Sequence, residues 1–483
     1  MVERLSAVEN ALTYKIRRFL TAHFSSSSIR RGSFISALIT CLADASVVTF
    51  SIFTPMFIEK LNYDQIDINI IGGGMNVGLY LTLPALGYLS DAHGPILLAL
   101  IGMVLCPGYL FAAWCYMSNS NSAFMAFSFF LIGIGTSSAY FCSLLTCAKI
   151  YPDKKGLSIS LPVTCYGLSS LLLSYVFKLP VFRETIGKDI SIISTYRVFI
   201  FLSVAYLITG FLNSISSVIV TIEKEVVFTK LAEQEEQVQD DESQLEAAAR
   251  VQSYNSVDNT SLINSEFMEP QTHQVRFRRF LKDPTMPLLY VVVFFLIGTQ
   301  ELFISNLGSL TKVVGYSHRD DISEQVALFS VFSTLARLGA GFLNDFFGTY
   351  KSTVRLTVVS ILMTILAYIL IAINFRDFAV ISSLMGLCYG STYTLFPTLV
   401  ATVWGVDLMG STWGLFLSAP AIGSLVFGLF YAYQFDSYCE IQSKTALTYC
   451  LTFPFTLFAS LCVVSAISLF YCYRRYWISS LEI

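Results

Sequence analysis

Gly87-Tyr88-Leu89-Ser90-Asp91-Ala92-His93-Gly94 returns in outline as Gly341-Phe342-Leu343-Asn344-Asp345-Phe346-Phe347-Gly348. Both octets fit G-x-L-x-D-x-x-G, and their offset is 341 − 87 = 254 residues. Each sits where one apolar run of helical length stops and another starts almost at once. Two copies of a tight helix–helix turn, half a chain apart, indicate one unit used twice. Other pairs recur at nearly that spacing. Ser138-Ala139-Tyr140-Phe141 meets Ser391-Thr392-Tyr393-Thr394 at 393 − 140 = 253, and interior prolines fall at Pro162 and Pro420 in the fifth and eleventh runs.

Composition supports a lipid environment. The 483 residues are 54% hydrophobic and only 13% charged, with a mean hydropathy of +0.64. Soluble domains carry about a quarter charged residues. The net charge of −3 comes with no strongly basic patch, so nucleic acid is not an expected partner. Most of the eleven cysteines, among them Cys41, Cys142, Cys147 and Cys388, lie inside apolar runs and read as small core residues. Cys439 and Cys450 instead flank the last long hydrophilic loop, where a lumenal setting leaves a disulfide open.

Apolar runs follow one another near 34–57, 68–90, 95–117, 123–149, 157–179 and 197–221, then near 285–308, 325–346, 353–374, 377–404, 409–433 and 448–473. Each is long enough to cross about 30 Å of hydrocarbon as a helix. The expected organisation is an N-tail at 1–33, six spans at 34–221, a linker at 222–284, six spans at 285–473 and a C-tail at 474–483. Glu, Ser, Asn and Gln dominate the linker, which is expected to be mostly disordered, with a fraying surface helix at 229–250. No cleavable signal is expected ahead of the first run, which is expected to act as its own targeting segment.

Placing the N-terminus in the cytosol puts 20 Lys and Arg on that side and nine on the other, with Arg337 alone inside a span. The bias assigns both termini and the linker to the cytosol. The sequon Asn259-Thr260-Ser261 is then expected to stay unmodified. Asp258, Leu262 and Ile263 match an acidic dileucine pattern, a candidate docking point for a sorting adaptor.

Ser90-Asp91-Ala92-His93-Gly94-Pro95, the stretch Ser158 to Gly167, and Pro397-Thr398-Leu399-Val400 with Trp404-Gly405 resemble the fungal monocarboxylate-transporter-homologue branch of the major facilitator superfamily. The likeness covers the spans and leaves out the linker and N-tail. It implies an all-α integral membrane fold, twelve transmembrane helices in two pseudo-symmetric six-helix bundles, and a transporter of the vacuolar membrane. The chain departs from related patterns in places. Gly94 is followed by Pro95 and Ile96 instead of basic residues, so the charge latch expected there is weakened. Of the lysine and Asp–Arg pair expected in proton-coupled monocarboxylate carriers, only Arg337 is present, with Ser333 one turn earlier.

A charge near mid-bilayer is costly and tends to face a cavity. Arg337 is the candidate anchor for a solute carboxylate; the alternatives are a pair with Asp345 or hydrogen bonds to Ser333 and Thr334. Glu301 and Asp44 are candidate proton carriers. For Glu301 the alternative is a helix-end carboxylate in lumenal water; for Asp44 it is a hydrogen bond to Ser46 or Thr40. Tyr80, Tyr140, Tyr389 and Tyr393 are candidates to line a passage, against a packing role. Gly87, Asp91, Gly94, Gly341, Asp345 and Gly348 read as gating or structural residues that brace turns. The glycines Gly72, Gly73, Gly74, Gly133 and Gly135 permit close helix approach.

The chain contains no G-x-x-x-x-G-K-[ST] motif, no H-E-x-x-H motif and no nucleophile elbow, and its four histidines are not at metal-ligand spacing. No cofactor, metal site or enzyme activity is expected. The reading is a secondary active transporter of a small organic solute, a carboxylate-like anion, working by alternating access with proton coupling open to Glu301 and Asp44. The alternative is a membrane sensor or scaffold that moves nothing and signals through the linker.

Overall fold

The structure, a computed structural model, describes residues 2–186, 190–220, 273–307, 310–311, 322–375, 377–435 and 451–477. The sequon, the dileucine pattern, the proposed helix at 229–250, and Cys439 and Cys450 lie outside the described residues.

Twelve helical crossings follow in order. Among the described residues, ten stretches are long and apolar enough to span a membrane by length and composition. The other two are the first and fifth, and each falls short for its own reason. The first runs Ser26–Ala43, continues as a 3₁₀ segment over Ala45–Ile52, and resumes as Thr54–Leu61. The break follows Asp44, where side chains compete for backbone groups: Ala45 N donates to Ser169 Oγ at 3.0 Å and Thr49 Oγ1 donates to Ser46 O at 2.6 Å. The fifth, Lys155–Val176, carries Ser158, Ser160, Thr164 and Ser169, which lower its hydropathy. Those hydroxyls are buried because this span packs on the first and eighth spans; Ser169 Oγ accepts from Ala45 N of the first.

Span two comprises Gln65–Asn76, a π-helical turn at Val77–Leu81, and Leu83–His93. Spans four and six are Ser122–Ile150 and Thr195–Val220. In the second half, spans seven, eight, nine and ten are Thr285–Ser305, Ile322–Phe347, Tyr350–Ala372 and Phe378–Val403. Span eleven is split into Met409–Phe416 and Ser418–Gln434, and span twelve runs Thr452–Cys472.

Four features depart from the sequence reading. The N-tail contains a helix, Val2–His23, and the first crossing begins at Ser26, well before the apolar run at 34. Its basic residues hid a helix that the hydropathy scan passes over. The linker ends in a helix, His273–Lys282, held by packing that a local sequence reading cannot see. A two-stranded antiparallel hairpin, Arg183–Ile186 with Ile190–Ile193, interrupts the all-α plan between spans five and six. Its β-branched residues lie outside the spans, where a helix is not required. Asp44 lies at a helix break, not within a continuous helix as its place in the apolar run suggested.

One apolar core centres on Phe53, Phe57, Phe129 and Phe199 in the first half. The other includes Phe303, Phe378, Phe455 and Phe458 in the second half, and extends through Leu83, Phe141, Ile159 and Val163 of the first. The halves meet along two seams, span two against span eleven and span five against span eight. An offset of 254 residues exchanges these seams, so the repeat seen in sequence is also the symmetry of the interface.

Candidate functional site

The repeated octets build the seams at one face of the molecule, here called the linker face because the helix His273–Lys282 lies there. Asp91 Oδ2 accepts from the backbone N of Ser411 at 2.6 Å. Asp345 accepts from the backbone N of Gly156 at 2.7 Å and of Leu157 at 2.8 Å. Each aspartate thus caps the N-terminus of a helix in the opposite half, where unsatisfied N–H groups and the helix dipole favour an anion. Ser411 and Leu157 are themselves 254 residues apart. Glycines bring the backbones together: a Cβ on Gly87 would fall 2.0 Å from Gly410 O, and one on Gly156 would fall 2.3 Å from Gly341 O. The closing glycines, Gly94 and Gly348, have φ of 94° and 58°, a region that favours glycine.

The latch is therefore made of carboxylates on helix ends, without the basic residues missing after Gly94. The two copies differ in one respect. Lys149 Nζ lies 3.1 Å from Asp91 Oδ1, and both side chains are buried. Asp345 has no such ion pair among the described residues.

Above the latches, spans two, four, five, eight, ten and eleven border a partly open cavity of about 620 Å³, adjoining solvent included. Its walls include Tyr80, Tyr140, Tyr389, Tyr393 and Arg337. Span ten supplies Tyr389 and Tyr393 one helical turn apart, so they share a face and their ring centroids lie 4.6 Å apart. Both hydroxyls donate to Oε1 of Glu301, Tyr389 at 2.9 Å and Tyr393 at a shorter distance. Tyr80 lies on the π turn of span two, a local widening that alters which side chains face inward.

Arg337 crosses the seam. Its Nη1 donates to Val163 O at 2.9 Å, and its guanidinium lies 5.8 Å from the ring centre of Tyr389. A Cβ on Gly167 would meet Nη1 at 2.0 Å, so a larger residue there would push the guanidinium aside. The buried Nε has no acceptor. None of the three alternative partners engages it: Asp345 is taken up by the helix cap, Ser333 Oγ is itself buried without a partner, and Thr334 Oγ1 donates to Ser330 O at 2.8 Å.

Glu301 is half-buried and held by two tyrosines, which differs from a carboxylate standing in open water. Asp44 does not line the cavity. It is 1% exposed, and neither carboxylate oxygen has a hydrogen-bond partner. Its neighbours are committed elsewhere. Ser46 Oγ accepts from Tyr109 at 2.7 Å, Thr40 donates to Ser36 O at 3.0 Å, and Tyr206 donates to Ala43 O at 2.9 Å.

Sequence reasoning passed over Tyr166, Trp413, Leu83 and Leu417, which also line the cavity. Tyr166 packs on Tyr140 with ring centroids 4.5 Å apart. The repeat held a usable signal for two of the others: the 254-residue offset carries Leu83 onto Arg337 and Val163 onto Leu417.

Two repeated six-helix bundles around a central cavity, sealed at one face by paired helix caps, define a membrane transporter architecture. A sequence model described as Major Facilitator Superfamily matches residues 36–428, and the chain belongs to that superfamily, within the fungal monocarboxylate-transporter-homologue group. Members of the superfamily are transporters and not enzymes. A relative from Debaryomyces hansenii, called "Probable transporter MCH1", is 38% identical and covers 97% of each chain. One of the same name from Saccharomyces cerevisiae is 31% identical over 90% of each. Among solved structures, the E. coli fucose:proton symporter FucP matches with a TM-score of 0.58 at 12% identity, over 91% of this chain and 98% of its own. The proton:xylose symporter XylE matches with a TM-score of 0.60 at 13% identity, over 93% and 96%. At such identities the likeness is one of fold alone.

Proposed function

We propose that this transporter moves a small organic anion bearing a carboxylate, by alternating access coupled to protons, across the vacuolar membrane with both termini cytosolic. The observation that carries the reading is Arg337 in the wall of the central cavity, with its Nε lacking an acceptor. A guanidinium remains protonated and presents donors in a fork that fits a carboxylate. Tyr80, Tyr140, Tyr389 and Tyr393, which share that wall, would contact the rest of the solute.

Glu301 is the first candidate for coupling. It shares the tyrosine pair that faces Arg337, so an entering anion meets Coulomb repulsion unless Glu301 carries a proton. Solute and proton then bind together. Asp44, unpaired and shielded within the first bundle, is the second candidate. The halves at 34–221 and 285–473 rock as units, and the helix caps at Asp91 and Asp345 part when the linker face opens.

Metabolites of vacuoles isolated with and without the protein would name the solute. Uptake of that solute into proteoliposomes then tests the roles. Arg337→Ala is expected to abolish uptake, and Glu301→Gln to retain exchange while losing its response to pH. Uptake by Arg337→Ala equal to the parent would remove the anchor, and an unchanged pH response in Glu301→Gln would exclude Glu301 as the carrier. A protein that moved no vacuolar metabolite in either direction would match the sensor alternative.

A further inference from the structure

The helix His273–Lys282, the last part of the linker, lies across the seam at the linker face. Its inner side is anchored to the second half. Phe280 is 2% exposed and packs on Trp404 and Phe416, with ring centroids 5.1 and 6.0 Å away. Trp404 Nε1 donates to Asp283 Oδ2 at 2.9 Å, just beyond the helix, and Arg276 lies 3.9 Å from Asp407. The same side reaches the first half at Tyr88. That ring sits 4.9 Å from His273 and 5.2 Å from Phe277, both edge-on. His273 Nε2 is also 3.3 Å from Oγ of Ser411, the residue whose backbone N caps on Asp91. Opening this face must therefore pull Tyr88 away from the linker helix.

The outer side has a different chemistry. Val275, Arg278, Arg279, Leu281 and Lys282 are exposed, with Val275 at 48% and Leu281 at 45%. No acidic residue occurs in the helix. Three cations and two aliphatic side chains thus face away from the protein, on a helix that ends three residues before the seventh span begins at Thr285. A basic and apolar face at that depth is complementary to the headgroup layer.

We propose that this outer face binds anionic phospholipid headgroups of the adjoining leaflet, and that the binding holds the linker helix across the closed seam. The inference needs the membrane setting that the family fixes, and does not depend on which solute is carried. Lipid favours the closed seam because the three cations reach one leaflet surface together while the inner side still meets Tyr88.

The test uses the full chain in nanodiscs of phosphatidylcholine alone or with added phosphatidylserine. A disulfide between Tyr88→Cys and His273→Cys, read by site-resolved mass spectrometry, reports the docked helix. Phosphatidylserine is expected to raise its rate of formation several-fold. Replacing Arg278, Arg279 and Lys282 with glutamine should remove that response while leaving the rate in phosphatidylcholine unchanged. Native mass spectrometry supplies a second reading. Each cation near an anionic surface is worth about fivefold in affinity, so retained phosphatidylserine should fall by up to about a hundredfold in the triple variant, and by less at high salt. Equal disulfide rates in both lipids, or a triple variant that responds and retains phosphatidylserine as the parent does, would overturn the proposal. A rate insensitive to lipid but raised by polyglutamate would assign the face to an acidic protein and overturn it equally.

Discussion

Replacing Asp345 with alanine removes the acceptor for two backbone N–H groups of the fifth span, Gly156 and Leu157, bonded at 2.7 and 2.8 Å. Loss of a carboxylate cap costs about 0.5–2 kcal/mol. The carboxylate is partly buried and serves two donors, which places the value toward the upper end. Because the donors belong to the opposite half, the loss falls on the closed linker face and leaves each bundle intact. A change of about 2 kcal/mol shifts the equilibrium toward opening by about thirtyfold. Ser160 supplies the readout. It is fully buried, and its Oγ lies 2.2 Å from where a Cβ on Gly341 would stand. In a Ser160→Cys background, maleimide labelling resolved by mass spectrometry should run about thirtyfold faster when Asp345→Ala is added. Asp345→Asn keeps an acceptor without its charge and should give an intermediate increase. Labelling unchanged by Asp345→Ala, with thermal stability preserved, would refute the argument that these caps hold the face shut.

The other copy should behave differently, because Asp91→Asn also strands Lys149 in a buried site. Leaving such a charge unpaired costs about 3–5 kcal/mol, so thermal unfolding in detergent should show a larger loss than for Asp345→Asn, partly restored by Lys149→Met in the same chain. Gly167→Ala places a methyl group on the path of Arg337 and should reduce solute uptake as strongly as Arg337→Lys does, with little change in thermal stability. The sequon at Asn259 should remain unmodified in the expressed protein; a mobility shift on glycosidase treatment would reverse the assigned sidedness.

The octets at 87–94 and 341–348 carried the repeat, the twelve crossings and the family in plain sight, because a lipid solvent imposes long apolar helices that hydropathy reveals. Arg337, Tyr389 and Tyr393 were also visible: a charge in a span is rare, and an i, i+4 tyrosine pair shares a face whatever the fold. Tyr166 and Trp413 were not, since aromatic residues are abundant here and their direction depends on which helix lies opposite. Asp44 illustrates the same limit. Its place in the apolar run suggested a continuous helix and a partner such as Ser46 or Thr40, whereas the chain breaks there and leaves the carboxylate unpaired.

The sequence by itself determined that the chain crosses a membrane repeatedly and that one six-helix unit is used twice, because periodicity and composition are local properties. Only the tertiary structure decided what the repeated aspartates do. Asp91 and Asp345 each end a helix in their own half, and nothing near them in sequence shows that the groups they satisfy are N–H donors of the other half. Helix ends are paired by the packing of distant segments, so that contact and the closed face it makes exist only once the bundles have met.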